Sequence, residues 1–484
     1  MVTCFYLVSL YFSTNNRVFL LLTCVYFLVV YKITFRLKES LLLVFIVLLP
    51  FAKGKAIEIL MLPKEQVQRY IIFKISYFFP VYISILPLGL LYYLHFRKIL
   101  TGNNKYVLTN KVVLASGVFL LFILSCLLAL SFNVFPEVIL FSAIQLFILL
   151  LIMLIPFITF HAKKNNLENL YIILTTSVLF HSIWVLMQRL NNGPLGKDIE
   201  VNISGNEFGI QAAEHIGLLR TNGIFYDPSI LSTYLIMHIV LFTYILVFKK
   251  IKLNKFIRGI LVTSVLTASI ALGFAGNRAI YLLYAIFILL VLYIKKFNIA
   301  RTLKLFNKAI IIVVIIIFPL ISYIFNRFAS FPEIFSYYGS ASYRLDMMKY
   351  ALRLGFLFPF GVGLNLSPYY LATAFPYEKF VFDPTYPHSL FFQIFAETGI
   401  VGLFLFLIFL YLIFRDDIYL LFNRLITSKH IDGVNNFINI NEFGLAAIIF
   451  LICAQVYPIF LNHQEVLSFF FLYIGFYIYE RNIN

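Results

Sequence analysis

Six polar side chains stand out in an otherwise strongly apolar chain, because their types can bind an anion and move a proton. Three are arginines, one is a histidine and two are carboxylates: Arg220, Arg278, Arg344, His388, Asp227 and Glu397. A guanidinium group is planar and permanently charged, and it matches the geometry of phosphate oxygens. An imidazole can act as a base or as a hydrogen-bond donor near neutral pH. Together these residue types predict recognition of a phosphate-bearing substrate.

Two of the arginines are predicted close to the beginning of a helix. Arg220 precedes Asp227, which is followed by a proline, and this pair is typical of a helix start. Arg278 follows a Gly-Asn pair in a tight turn and opens the next helix. A helix N-terminus attracts anions, so both positions predict an anion site. The structural alternatives are a snorkelling Arg220 and a purely capping Asp227.

Arg344 lies in a stretch with helical periodicity, and two glycines follow it. At about 3.6 residues per turn, one apolar stripe is formed by Leu345, Met348, Ala351 and Leu352. Arg344 is predicted to project within that apolar sector. Gly361 and Gly363 permit a turn or a close approach of two backbone segments.

His388 and Glu397 are predicted in one helix but on opposite faces. Nine residues separate them by roughly 14 Å along the axis and by roughly 900° of rotation, so a direct acid–base pair is not expected. A carboxylate within a membrane span is costly, so Glu397 is either functional or the centre of a buried hydrogen-bond network. A lone histidine can also be structural.

The composition places these residues in a polytopic membrane protein. Of the 484 residues, 62% are hydrophobic and 12% are charged, whereas soluble proteins average roughly 45–50% and 25%. The apolar runs between residues 18 and 479, among them 70–95 and 309–325, predict an all-α bundle of about 12–14 transmembrane helices. The net charge of +17 lies mostly in short gaps between these runs, which argues against a nucleic-acid partner.

The basic residues also predict the orientation of the chain. Alternate short loops rich in Lys and Arg are predicted to face the cytoplasm. The long loops 190–227 and 326–387 then face outward, together with the arginines and His388. We divide the chain into three regions: N-terminal helices 1–189, a region 190–414 with both long loops and the polar residues named above, and C-terminal helices 415–484.

The outer loops contain no Asp-x-Asp, no HExxH and no clustered Cys and His residues, and the chain has no P-loop. We therefore predict no metal and no cofactor. The arginines alone are expected to recognise the anion.

With these segments in view, the sequence resembles the O-antigen ligase/O-antigen polymerase family of bacterial membrane glycosyltransferases. The resemblance covers about residues 205–415. It rests on the order of four segments: Arg220-x-x-Gly223-x-Phe225-x-Asp227-Pro228, Gly276-Asn-Arg278-Ala279, Arg344 with Gly361-x-Gly363, and His388-Ser389-Leu390 followed by Glu397-x-Gly399.

This resemblance implies glycan transfer from undecaprenyl diphosphate at the outer face of the bacterial cytoplasmic (inner) membrane. An acceptor hydroxyl attacks the anomeric carbon, and the lipid diphosphate leaves. On this basis Arg220, Arg278 and Arg344 bind the diphosphate, and His388 orients or deprotonates the hydroxyl. Catalysis is assigned to His388, Arg278 and Arg220, and supporting roles to Glu397, Asp227, Gly361 and Gly363.

The resemblance leaves two reactions open. A polymerase joins repeat units of O-antigen, capsule or exopolysaccharide, whereas a ligase transfers the glycan to lipid A–core. The spacing Arg344-x₁₀-Gly355 resembles a polymerase loop motif and favours the polymerase. Expected partners are the lipid-linked donor, a glycan or lipid A–core acceptor, membrane lipids, a flippase and a chain-length regulator. A lipid-linked oligosaccharide flippase is the alternative from another class, but the arginines gather on one face rather than near the middle of the membrane.

Overall fold

The fold is predominantly helical, which confirms the predicted all-α class. The computed structural model describes residues 3, 16–34, 36–50, 54–58, 78–82, 85–100, 110–159, 167–195, 220–225, 227–249, 254–294, 340–375, 386–427, 441–457, 459–461 and 463–483. Fourteen α-helices lie within these residues.

The first nine helices are α1 (Asn16–Thr34), α2 (Leu37–Leu48), α3 (Ile85–Leu100), α4 (Asn110–Leu127), α5 (Pro136–Thr159), α6 (Leu167–Leu190), α7 (Pro228–Val247), α8 (Lys255–Ala275) and α9 (Arg278–Ile294). A 3₁₀ turn, Leu128–Phe132, continues α4. The last five are α10 (Ser340–Leu357), α11 (Ser367–Ala374), α12 (Leu390–Thr427), α13 (Glu442–Cys453) and α14 (Gln464–Ile483).

Six helical stretches are long and apolar enough to cross a membrane: Asn110–Ser131, Pro136–Thr159, Leu167–Leu190, Pro228–Val247, Lys255–Ala275 and Leu390–Tyr419. Three shorter apolar helices accompany them: Leu21–Lys32, Arg278–Val291 and Glu442–Cys453. The protein is therefore a multi-pass membrane protein. The predicted span near 309–325 lies outside the described residues, and the long loop 326–387 contains α10 and α11.

One predicted span, residues 70–95, is not a single helix. It contains the strand β2 (Phe78–Tyr82), which pairs antiparallel with β1 (Gly54–Glu58), and α3 begins only at Ile85. Aromatic and β-branched residues favour an extended backbone, and Pro80 cannot donate an intrahelical hydrogen bond. Hydropathy alone does not separate this pattern from a helix.

The described residues form two compact units. The first comprises those within Met1–Lys53, Lys164–Phe331 and Thr427–Ile449, and the second those within Gly54–Lys163, Pro332–Ile426 and Phe450–Asn484. Both units combine segments that are distant in the chain. The three-region division of the chain stays a prediction.

In the first unit, α7 packs between α6, α8 and α9, and most of its side chains are buried. Its apolar residues occupy every face, as expected for a helix surrounded by other helices. The hydroxyl of Ser264 in α8 donates to the carbonyl of Thr175 in α6 at 3.0 Å. Such polar contacts hold helices together where lipid supplies little hydrophobic driving force.

In the second unit, α5 packs against α14, α4 and α3, and α10 packs against α11. Aromatic rings fill the contact between α4, α12 and α14. Phe119 lies 4.8 Å from Phe409 and 5.1 Å from Phe471 between ring centroids. Tilted and edge-on pairs at these distances are favourable.

Candidate functional site

The predicted site residues occur in both units. The first unit holds Arg220, Asp227 and Arg278. The second unit holds Arg344, Gly361, Gly363, His388 and Glu397.

A tight turn of residues 273–278, the α8–α9 turn, carries Arg278 as the first residue of α9. Gly276 has a φ of 70°, in the left-handed region that favours glycine, and its N–H donates to the carbonyl of Gly273 at 3.3 Å. The side-chain oxygen of Asn277 accepts from the N–H of Ile280 at 3.3 Å and so caps α9. The predicted turn is confirmed.

Arg220 lies against the α8–α9 turn. Its Nε donates to the carbonyl of Ala275 at 3.2 Å, and the N–H of Thr221 donates to the carbonyl of Phe274 at 3.2 Å. Both acceptors belong to the last turn of α8, whose carbonyls attract cations. The structure therefore brings Arg220 to the turn that carries Arg278.

A third arginine, which the sequence reasoning missed, contacts the same turn. The guanidinium carbon of Arg189, at the end of α6, lies 5.6 Å from the centroid of the Phe274 ring. An arginine at this distance over an aromatic face is attracted to it. Its signal in the sequence was a basic residue at the predicted outward end of a span, which the positive-inside rule disfavours.

The neighbouring residue, Gln188, holds the Arg220 segment in place. Its side-chain amide donates to the carbonyl of Gly223 at 2.7 Å and accepts from the N–H of Gly223 at 2.9 Å. Gly223 has a φ of 63°, and Gln188 is only 2% exposed. Sequence reasoning missed Gln188, whose only signal was an amide inside an apolar run.

Two polar atoms beside Arg220 are buried without a hydrogen-bond partner among the described residues. They are the hydroxyl of Thr221 and the side-chain oxygen of Asn222. Both residues are almost fully buried. Buried polar atoms are usually paired, so this pair is consistent with a polar ligand at the Arg220 segment.

Asp227 is the N-cap of α7, and its carboxylate accepts from the N–H of Ser229. Pro228 occupies the first helical position, as predicted. Asp227 therefore caps a helix, which is the structural alternative given for it in the sequence analysis.

In the second unit, Arg344 is half-buried in α10, and its guanidinium carbon lies 5.1 Å from the centroid of the Tyr457 ring. Of the predicted apolar stripe, Ala351 is buried and Met348 and Leu352 are half-buried, but Leu345 is 62% exposed. The buried face is instead formed by Met347, Tyr350, Ala351 and Leu354. Arg344 precedes Met347 by about one helical turn, so both residues lie on the same side of α10. Arg344 therefore lies on the face that contains Met347, not on the predicted face that contains Leu345.

His388 lies beside the start of α10. The rings of His388 and Tyr343 meet edge-on with 5.9 Å between their centroids. Because Tyr343 directly precedes Arg344 in α10, the structure brings Arg344 and His388 into one neighbourhood. Sequence reasoning missed Tyr343 as the link between them.

A break in α12 shapes this neighbourhood. Gly399, with φ of 68° and ψ of −169°, interrupts the helix and frees backbone groups there. The loop 359–363 satisfies them: Val362 N–H donates to Ala396 O at 3.0 Å, Gly363 N–H to Glu397 O at 2.9 Å, and Ile400 N–H to Pro359 O at 3.1 Å. Freed backbone groups inside a membrane protein require such partners.

The glycines explain why the two backbones approach so closely. A Cβ added to Gly361 would lie 2.2 Å from the carbonyl oxygen of Glu397, and one added to Gly399 would lie 2.0 Å from that of Pro359. Gly361 and Gly363 have φ values of 78° and 100°. The predicted close approach of two backbones is confirmed at Gly361, whereas a Cβ added to Gly363 would meet the side chains of Ile139 and Asn133.

The side chain of Glu397 is fully buried at this break and accepts hydrogen bonds from three residues. It accepts from Asn365 N–H at 3.0 Å, from the Ser367 hydroxyl at 2.8 Å and from the Gln393 amide at 3.1 Å. These contacts fasten the start of α11 to α12, which is the structural alternative predicted for Glu397. Burial, reinforced by the Glu397 carboxylate, raises the pKa of Tyr386, so its hydroxyl stays protonated and donates to Asn365 O at 3.4 Å.

Replacing Glu397 with alanine is expected to reduce the thermal stability of the purified protein strongly. The change leaves three buried donors without their acceptor, at roughly 1–3 kcal/mol for each group. Glu397→Gln should cost less, since its amide oxygen can still accept and its volume is unchanged. Melting temperatures in detergent test this order, and an alanine variant as stable as the unmodified protein would contradict it.

Among the described residues, no three His, Cys, Asp or Glu side chains lie close enough together to hold a metal ion.

Comparison with known families identifies the part of the chain that carries most of these residues. Residues 263–407, less than a third of the chain, match the family model described as O-antigen ligase. The match includes Arg278, Arg344, His388 and Glu397, whereas Arg220 precedes it. No curated protein matches the chain. The family resemblance seen in the sequence is confirmed over this region.

Proposed function

Because residues 263–407 carry a domain of the O-antigen ligase family, we propose that the protein polymerises polysaccharide repeat units from an undecaprenyl-diphosphate donor. The family consists of O-antigen ligases and related polymerases, so the protein is assigned to an enzyme class. The observation that carries the proposal is the placement of Arg220 against the turn from which Arg278 emerges.

The proposed reaction forms one glycosidic bond and breaks one bond to diphosphate. A hydroxyl of the acceptor sugar attacks the anomeric carbon of the donor. The bond from that carbon to the diphosphate oxygen breaks, and the lipid diphosphate leaves with the electron pair. His388 orients the hydroxyl and accepts its proton. No nucleotide is needed, since the donor carries its own leaving group.

Positive charge at the leaving group supplies most of the proposed rate enhancement. Arg220, Arg278 and Arg344 bind the diphosphate, and their charge offsets the negative charge that develops as the bond breaks. Preorganised charges in a water-poor site stabilise such charge effectively. The crowding of Arg189 and Arg220 around the α8–α9 turn supports this role. We propose that neither a metal ion nor another cofactor takes part.

The spacing from Arg344 to Gly355 favours the polymerase. In the structure, a Cβ added to Gly355 would lie 2.5 Å from the Phe395 ring, so this glycine allows α10 to pack closely on α12. The second candidate is a ligase that transfers the glycan to lipid A–core, a reaction that belongs to the same matched family. A lipid-linked oligosaccharide flippase remains the alternative from another class.

We propose that the site faces the exterior or periplasmic side of the bacterial inner membrane, where the flipped donor is available. A flippase would deliver that donor, and a chain-length regulator would act on the product. The basic residues in the alternate short loops support this orientation.

Purified protein in liposomes, supplied with undecaprenyl-diphosphate repeat units, is expected to produce a ladder of longer lipid-linked glycans. Mass spectrometry and gel analysis would measure it. Activity should persist in EDTA. If EDTA abolished the activity and added Mg²⁺ restored it, metal independence would be contradicted. Transfer only to added lipid A–core would select the ligase. Movement of the donor between leaflets without a new glycosidic bond would select the flippase.

A further inference from the structure

A short turn after α13, residues 454–457, contacts the segments that carry both Arg344 and His388 in the second unit; we call it the Ala454–Tyr457 turn. We propose that Tyr457 is a positioning residue that holds the guanidinium group of Arg344 for the diphosphate. This inference rests on the proposed function. The turn lies beyond the matched residues 263–407.

The turn is tied firmly to the beginning of α12, next to His388. The N–H of Leu390 donates to the carbonyl of Ala454 at 2.8 Å. The hydroxyl of Ser389 donates to the side-chain oxygen of Gln455 at 2.8 Å. Because Ser389 directly follows His388, these bonds fix the turn relative to the histidine.

The turn is also fixed to its own helix. The side-chain amide of Gln455 donates to the carbonyl of Leu451 at 3.0 Å, and the N–H of Ala454 donates to the carbonyl of Phe450 at 2.8 Å. The carbonyl of Tyr457 accepts from the N–H of Ile459 at 2.8 Å. The backbone on both sides of Tyr457 is therefore held in place.

Tyr457 presents its ring to Arg344. The side chain is 8% exposed, and the ring centroid lies 5.1 Å from the guanidinium carbon. Attraction to an aromatic face is stronger when the cation is partly desolvated, as the half-buried Arg344 is. Five N–H groups in a planar fork remain able to bind oxygen atoms while the face of the group contacts a ring.

Such a contact would matter for catalysis because a long arginine side chain has many conformations. If the side chain is already held in one conformation before the substrate binds, no conformational entropy has to be lost to order it in the transition state. The same turn supports the segment that carries His388. A single structural element outside the family region thus aligns the proposed anion-binding and proton-accepting groups of this unit.

The test compares two substitutions at Tyr457 in the full-length protein. Tyr457→Phe keeps the ring and is expected to retain kcat within about 2-fold. Tyr457→Leu removes the ring and is expected to lower kcat by about 3- to 30-fold, the range of a partly desolvated cation–π contact. In an Arg344→Ala background, Tyr457→Leu should cause no further loss, since it acts through that arginine.

A matched control is available in α14, where Arg481 lies 5.3 Å from the ring of Tyr477. Tyr477 is buried and also donates to Asp417, so Tyr477→Leu should destabilise the protein at least as much as Tyr457→Leu. It should nevertheless leave the kcat of the folded protein unchanged. Melting temperatures of both variants separate loss of folding from loss of positioning.

A second readout does not depend on activity. Phenylglyoxal modifies accessible arginines, and mass spectrometry reports the extent at each one. Arg344 should be modified faster in Tyr457→Leu than in the unmodified protein or Tyr457→Phe. Unchanged kcat and unchanged labelling in Tyr457→Leu would overturn the positioning role. Absence of any glycan transfer by the unmodified protein would instead overturn the proposed function, while the labelling still tests the contact.

Discussion

Replacing Arg278 with alanine is expected to lower kcat of glycan transfer by about 10²–10³-fold, the loss typical of removing one preorganised electrostatic donor. Arg278 opens α9 as the last residue of the α8–α9 turn, against which Arg220 also lies. A cation at a helix N-terminus is unfavourable by itself, and a bound anion relieves that conflict. The KM for the lipid-linked donor should rise less than kcat falls, because the diphosphate gains negative charge as its bond breaks.

Two variants control for charge and for folding in the Arg278 experiment. Arg278→Lys keeps the charge but loses the planar fork, so it should retain part of the activity. Arg258→Ala removes an exposed arginine from the first turn of α8 and should leave kcat unchanged. Rates from initial product formation, with membrane insertion checked separately, provide the measurement. Full activity in a folded Arg278→Ala variant would remove this residue from the mechanism.

Replacing His388 with alanine is expected to lower kcat by about 10²–10⁴-fold, the usual contribution of a positioned acid–base group. His388 lies just before α12, contacts Tyr343 and shares its neighbourhood with Arg344. Without the imidazole, the acceptor hydroxyl has neither its orienting partner nor its proton acceptor. Binding of the donor should change little, because the histidine is assigned to the acceptor.

The His388 experiment can also separate orientation from proton transfer. His388→Gln can still form hydrogen bonds but cannot act as a base of comparable strength. High activity in this variant would favour an orienting role, whereas loss as great as in His388→Ala would favour proton transfer. His463, which lies 3.7 Å from Glu465 just before α14, is the matched histidine control. Its alanine variant should keep full activity, and a wild-type rate in His388→Ala would exclude His388 from the reaction.

Several features were predictable because they depend on local sequence. The Gly-Asn pair before Arg278 predicted a tight turn, and the structure has one with Gly276 in the left-handed conformation. Asp227 followed by a proline predicted the start of α7. Gly361 and Gly363 predicted a close approach of backbone, although their partner was not identified from the sequence. The partner is the break in α12.

Other features depend on contacts between distant parts of the chain. Periodicity placed Leu345 in the apolar stripe of α10 together with Ala351, but Leu345 is exposed, and Met347 is buried with residues of α11 and α12 instead. Likewise, nothing near Gln188 in the sequence indicates that its amide holds Gly223, 35 residues further along. The position of the Ala454–Tyr457 turn also depends on a distant segment, because the carbonyl of Ala454 accepts from the N–H of Leu390 at the beginning of α12.

The sequence by itself determined that this is a helical, multi-pass membrane protein, and it singled out the arginines and the histidine as candidate site residues. Composition, periodicity and residue chemistry are local properties, so they can be read before the chain is folded. Only the tertiary structure decided that Glu397 fastens a helix break, that Arg189 and Arg220 meet at one turn and that Tyr457 faces Arg344. Those relations arise from the packing of distant segments, where each partner's position depends on the whole unit around it.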